Sequence, residues 1–173
     1  HNGKFNRYKI RERTYKDTHD SFLEVKFKNN RRITKKSRTE SQAVNMHKSK
    51  LFKEFISVHT PFIPEELRES VKTKFSRITL IDTKATERIT IDLNLELSFE
   101  TESKIFNDLV ICEVKKKKSL RRSAFEKLLD KHRIKPFRIS KYCLGNYFLN
   151  KKVKHNLYKE KVLYLNKILK NNE

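Results

Sequence analysis

Glycine occurs only twice in the 173 residues, at Gly3 and Gly145, and proline three times. Two glycines so far apart cannot build a GxxxxGK or GxGxxG loop, which excludes nucleotide binding by a glycine-rich phosphate loop. The two cysteines, Cys112 and Cys143, supply neither a disulfide framework nor a metal-finger spacing. Tryptophan is absent, and no apolar run approaches the roughly 18 residues that span a bilayer as a helix. Acidic residues are scarce relative to basic ones: 21 Asp and Glu stand against 42 Lys and Arg, a formal net charge of +21.

Apolar residues are nevertheless plentiful. With 36% hydrophobic residues, including 12 Phe and 6 Tyr, the chain is too apolar for a disordered basic tail. The composition leaves a soluble intracellular domain with a strongly anionic partner: nucleic acid, an acidic membrane surface or a polyphosphorylated small molecule. The charge is unevenly spread. Residues 1–40 carry 13 basic and 5 acidic side chains, residues 113–173 carry 19 and 5, and residues 41–112 carry 10 and 11. Two basic ends around a neutral centre suit a fold that gathers both ends about one site.

Period-two alternation dominates and predicts about six strands. In the segment 7–15, Arg7, Lys9, Arg11 and Arg13 share a face opposite Tyr8, Ile10, Glu12 and Thr14. In 22–28, Leu23, Val25 and Phe27 alternate with Glu24, Lys26 and Lys28; in 32–38, Thr34, Lys36 and Arg38 share a face. The turns fall at Asp17-Thr18-His19-Asp20 and Asn29-Asn30. Residues 42–58 read as helix and 65–72 as a short one after the Pro61 and Pro64 break. In 74–82, Arg77 falls with Phe75 and Thr79. In 88–97, Ile89, Ile91, Leu93, Leu95 and Leu97 oppose Arg88, Thr90, Asp92, Asn94 and Glu96. Residues 108–116 form the last strand, with Glu113 and Lys115 on one face and Cys112, a packed apolar residue, on the other. Residues 121–132 (Phe125, Leu128 and Leu129 inward), 142–148 and 158–170 read as helices. Strands with one apolar and one basic face fit a closed barrel with a basic lumen, covered by helices.

Taken in order, seven segments resemble the vacuolar transporter chaperone (VTC) domain, a polyphosphate polymerase of the triphosphate tunnel metalloenzyme superfamily, in its bacterial form. They are Ile10-Arg11-Glu12-Arg13-Thr14-Tyr15, Phe22-Leu23-Glu24-Val25-Lys26, Thr34-Lys35-Lys36-Ser37-Arg38, Arg77-Ile78-Thr79, Arg88-Ile89-Thr90-Ile91-Asp92, Val110-Ile111-Cys112-Glu113-Val114-Lys115 and Arg138-Ile139-Ser140-Lys141-Tyr142. The resemblance implies an α+β fold, an antiparallel barrel tunnel with flanking helices. The family has eight strands, so residues 1–173 are expected to be one such domain lacking its first strands, with His1-Asn2-Gly3 as a hairpin turn. Residues 119–173 are expected to be a mainly helical part packed on the barrel.

The resemblance further implies a metal-dependent transferase that binds nucleoside triphosphate, such as ATP, or polyphosphate and passes the γ-phosphoryl group to a growing chain. Such transfer depends on positioning and charge neutralisation more than on covalent chemistry. Arg11, Arg13, Lys26 and Arg88 are the implied catalytic cations. Together with Lys36, Arg38, Arg77, Lys115, Arg138 and Lys141 they are the implied phosphate ligands, arginine binding bidentately and lysine as a point charge. Glu113 is the implied ligand of Mn²⁺ or Mg²⁺. Glu24 could bond near the phosphates or act as a salt-bridge partner; Asp92 reads as a salt-bridge partner, and Glu96 as solvent-exposed. Inorganic phosphate and pyrophosphate are further expected ligands, and the expected location is the cytoplasm or the inner face of a membrane, with any membrane partner on another chain.

Two other readings compete. One is a sensor that binds polyphosphate or inositol phosphates without turnover; the retained Glu113 favours the enzyme. The other is an RNA- or DNA-binding module, against which most strand aromatics, Tyr8 and Phe27 among them, alternate away from the basic face. His19, His47, His59, His132 and His155 lack metal-ligand spacing. Of residues 115–118 only Lys115 matches the family, and Lys151, Lys152 and Lys154 read as a solvated helix face.

Overall fold

In the computed structural model, which describes residues 6–31, 33–41, 49–84, 86–117 and 121–170, the N-terminal alternation folds into three antiparallel strands. These are β1 (Arg7–Thr14), β2 (Ser21–Lys28) and β3 (Thr34–Glu40), in the order β1-β2-β3. The first turn closes with the Tyr15 N–H donating to the Asp20 carbonyl at 2.8 Å, and His19 takes φ 58 within it. In the second, the Asn29 side chain accepts from the Ile33 N–H at 2.8 Å, the use of Asn that the turn requires. Helix α1 (Lys50–His59) starts at Ser49, whose hydroxyl accepts from the Phe52 N–H. It buries Phe52 and Ile56, one helical turn apart, against Leu23 and Val25. Tyr8, Ile10, Phe55 and Leu67 close this core. These elements make up one compact unit, His1–Glu69.

The second unit, Ser70–Glu173, is built around a long strand. Strands β4 (Lys72–Ile81), β5 (Glu87–Phe99), β6 (Glu102–Phe106) and β7 (Ile111–Lys116) form an antiparallel sheet. β4 pairs with one edge of β5, while β7 and β6 share the other edge, β7 opposite its first half and β6 opposite its second. Three helices follow: α2 (Ala124–Lys131), α3 (Lys141–Leu149) and α4 (Asn156–Lys170). Leu144 of α3 and Tyr158, Val162 and Leu165 of α4 pack on Leu95, Leu97, Phe106 and Leu109. Gly145 lets α3 approach the chain entering β4, because a Cβ there would stand 2.2 Å from Val71 Cγ1.

A bulge in β5 corrects the alternation expected over residues 88–97. Lys74 pairs with Glu96 but Ser76 pairs with Leu93, so Phe75 alone stands opposite Asn94 and Leu95. Asn94 takes φ 52, a left-handed conformation that asparagine tolerates better than most residues. One extra residue flips every later side chain to the other face. Thr90 and Asp92 are therefore buried on the same side as Leu95 and Leu97, instead of opposite them.

Other expectations also change. The described strands number seven and make two open antiparallel sheets, with no closed barrel among the described residues. The extra strand is β6, joined to β5 by a turn at Glu100-Thr101 that uses φ 53 at Glu100 rather than a glycine. Residues 65–72 are not a helix: Pro64–Glu66 form one 3-10 turn and the chain then extends into β4, a stretch too short to nucleate α-helix. Leu128 is exposed rather than inward. Cys112 is exposed rather than packed, since it lies on the sheet face where Ile78 and Leu80 are also exposed. The expected turn at His1-Asn2-Gly3, residues 42–48 of the first expected helix with His47, and Arg32 and Lys118 lie outside the described residues. No helix among the described residues is long and apolar enough to cross a membrane.

Candidate functional site

Strand pairing arranges the cations of the first sheet in rows. Across β1, β2 and β3 run Arg7–Lys28–Thr34, Lys9–Lys26–Lys36, Arg11–Glu24–Arg38 and Arg13–Phe22–Glu40. All of these occupy the face opposite Leu23, Val25 and α1. Neighbouring strands lie about 4.8 Å apart, so Lys26 and Lys36, in register with Lys9, bring like charges side by side, which is unfavourable unless an anion lies over them. Among the described residues, Lys26 and Lys36 have no acidic partner. Lys36 falls in line with Lys26, and Lys35 lies on the other face opposite Phe27, as the spacing predicts.

Glu24 is the anion at the centre of this face. Arg11 Nε donates to Glu24 Oε2 at 2.8 Å, and Arg11 Nη2 reaches the same oxygen. Burial pushes the Glu24 carboxyl up, but the Arg11 hydrogen bond and the charges of Arg11, Arg13 and Arg38 outweigh it and hold it below the usual carboxylate range. Arg38 lies over the Phe22 ring at 3.3 Å from its centroid, and Arg13 donates to the Tyr15 hydroxyl at 2.9 Å. Phe22 is thus a strand aromatic that does share the basic face, but it carries a guanidinium on its ring. Phe22, Arg38, Thr39 and Glu40 line an open depression at this end of the sheet.

The second sheet carries its own polar face. Its rows are Arg77–Asp92–Ile111, Thr79–Thr90–Glu113 and Ile81–Arg88–Lys115 across β4, β5 and β7. Asp92, 3% exposed, accepts from Arg77 Nε at 2.6 Å and Arg77 Nη2 at 2.7 Å. Lys141, the first residue of α3, donates to Asp92 Oδ2 at 2.5 Å. Burial raises the Asp92 carboxyl, yet the hydrogen bonds from Arg77 and Lys141 and their charges more than offset this and leave it below its ordinary value. Phe75 lies beneath both cations, 5.1 Å from Arg77 and 4.5 Å from Lys141. Glu113 is half-exposed and pairs with Lys115 at 3.3 Å. Arg88 and Arg138 have no acidic partner among the described residues, and Arg138 lies in the exposed segment before α3.

Thr90 is a residue that sequence reasoning passed over. Among the described residues its buried hydroxyl has no hydrogen-bond partner, and it lies between Thr79 and Glu113 on the polar face. Alternation marked it only as a non-apolar position, and the bulge that buries it has no glycine to announce it. Glu96, expected in solvent, pairs with Lys74 at 2.9 Å. The histidines keep ordinary contacts: the His59 ring meets Ser37 and Phe55, and that of His155 meets the Asn150 carbonyl.

The comparison that decides the family is a match of the VTC domain model to residues 1–150. The chain belongs to the VTC domain family. The match takes in every cation and carboxylate described above and stops before α4. No curated protein matches the chain, and no solved structure does. Membership connects this VTC domain to polyphosphate, the chemistry with which the family is associated. Among its described residues no three His, Cys, Asp or Glu side chains gather into a metal cluster. Glu113, paired with Lys115, is a single half-exposed carboxylate of the kind that Mg²⁺ or Mn²⁺ can take, completing their shell with water and substrate phosphates.

Proposed function

We propose that this VTC domain is a metal-dependent phosphotransferase that binds nucleoside triphosphate and polyphosphate on its basic faces and passes the γ-phosphoryl group to a growing chain. In this reading each basic face is a phosphate-binding surface of the triphosphate-tunnel type. The observation that carries it is the lysine row Lys9–Lys26–Lys36. The adjacent like charges of Lys26 and Lys36 are unfavourable by themselves and become favourable under a run of phosphate oxygens. Arg11, Arg13 and Arg38 beside it grip single phosphates through planar guanidinium groups. On the second sheet Arg77, Arg88, Lys115 and Lys141 do the same, with Arg138 as a further phosphate ligand.

Transfer breaks the bond from the β,γ-bridging oxygen to the γ-phosphorus and forms one from the terminal oxygen of the acceptor chain, releasing the nucleoside diphosphate. The protein's part is to hold the two reactants in line and neutralise charge as it spreads over the transferred group. Arg11, Arg13, Lys26 and Arg88 are assigned to that task. A divalent ion bound by Glu113 would supply further charge neutralisation at the phosphate oxygens. Inorganic phosphate and pyrophosphate are weaker ligands of the same cations.

The experiment measures polyphosphate formed from ATP with Mn²⁺ or Mg²⁺ in the full chain, alongside affinity for a non-hydrolysable ATP analogue. Glu113→Gln should keep analogue binding and lose most metal-dependent synthesis, whereas Arg88→Ala should weaken both. If the chain makes no polyphosphate with either metal and Glu113→Gln binds the analogue more tightly, the sensor reading replaces the enzyme. Tripolyphosphate should also displace bound RNA at low concentration; RNA binding that survives a large excess would favour the nucleic-acid module.

A further inference from the structure

A fully buried aspartate is out of place on a face that collects anions. Asp92 lies in the middle of β5, 3% exposed, and accepts two hydrogen bonds from Arg77 and one from Lys141. Both cations keep part of their side chains at the surface, 27% for Arg77 and 18% for Lys141. Phe75 supports the pair from below. Lys141 stands at the N-terminus of α3, where the helix dipole disfavours a cation, and the first turn of α3 contains no acid. Asp92 therefore supplies the compensating charge, and it does so for these two cations alone: Arg88, four residues earlier on the same face, has no acidic partner among the described residues.

We propose that Asp92 is a built-in counter-anion that clamps Arg77 and Lys141 over Phe75 and competes with phosphate for them, setting how tightly the second sheet binds its ligand. This rests on the phosphate-binding reading of that face. Without such a charge the two half-buried cations would hold a polyanion too firmly to release it. With it, the cluster retains a net charge of about one, enough to attract phosphate without trapping it.

The test uses calorimetric titration with tripolyphosphate, and thermal melts with and without it, on the parent chain, Asp92→Asn, Lys141→Gln and the double variant. Asp92→Asn should bind tripolyphosphate about tenfold more tightly than the parent, and its melting transition should rise further on addition of the ligand. Folding of Asp92→Asn only in the presence of tripolyphosphate supports the proposal equally. Should Asp92→Asn not fold under either condition, the other pair decides, since the double variant removes one cation along with the anion. It should bind about tenfold more tightly than Lys141→Gln, and equal affinities would overturn the proposal, as would a folded Asp92→Asn no tighter than the parent. A parent that binds no tripolyphosphate beside an Asp92→Asn that does would sink the phosphate-binding reading and leave the counter-anion standing. A parent that binds, with neither comparison tightening, would do the reverse.

Discussion

Lys26 has like charges on both sides, Lys9 on β1 and Lys36 on β3, so its substitution has two opposed effects. Lys26→Ala should stabilise the ligand-free protein by about 0.2–1 kcal/mol through lost repulsion and weaken tripolyphosphate binding; denaturant melts and calorimetry read the two separately. The acids on these faces predict the response to pH. Glu24 and Asp92 both have folded-state values lowered from their ordinary ones, 4.5 and 3.8. A lowered carboxylate stabilises the fold fully above its unfolded pKa, and that contribution is lost as pH falls through the folded value. Melting temperature should therefore fall as acidity increases below about pH 4, and the part due to Glu24, which faces Arg11, Arg13 and Arg38, should vanish in Glu24→Gln. A melting temperature indifferent to acid in this range would contradict these pairings.

The strand β5 shows where sequence reading succeeds and where it stops. Its cations and carboxylates were legible because period two is a steric property of the extended chain. The parity change at Asn94 was not, because an asparagine in a strand pattern gives no sign of which local conformation it takes. Asn94→Gly should leave stability nearly unchanged, since glycine accepts φ 52 freely. Asn94→Val should cost about 1–2 kcal/mol and, by straining the bulge, disturb Asp92 and Thr90. Equal melting for the two variants would argue against the left-handed residue. Helix α3 was legible over residues 142–148, but the close approach to Val71 that requires Gly145 was not. Gly145→Ala should destabilise by about 1–3 kcal/mol through overpacking, against a gain in helix propensity of about 1 kcal/mol.

At the scale of the molecule, charge and order were the informative features. Doubling of basic over acidic residues pointed to an anion, and seven short segments in sequence pointed to the family that the match over residues 1–150 establishes. Alternation also identified the cationic face of the first sheet, where α1 covers the other side. It could not distinguish one closed sheet from two open ones, because closure depends on pairing between distant strands that no local pattern encodes. The two carboxylates were separable: Asp92 reads as a salt-bridge partner, and the structure buries it beside Arg77 and Lys141, whereas Glu113 stays half-exposed beside Lys115.

Both basic faces are predicted to bind phosphate, and one residue from each tests this. Tripolyphosphate would be titrated calorimetrically, at fixed ionic strength, into the parent chain, Lys26→Ala and Arg88→Ala. The parent should bind saturably, and each variant should bind about tenfold more weakly through loss of a charge-assisted contact. The parent should also be stabilised by about 2.7 kcal/mol at a hundredfold excess over Kd. Absence of saturable binding, or affinities in both variants equal to the parent's, would contradict phosphate binding by these faces.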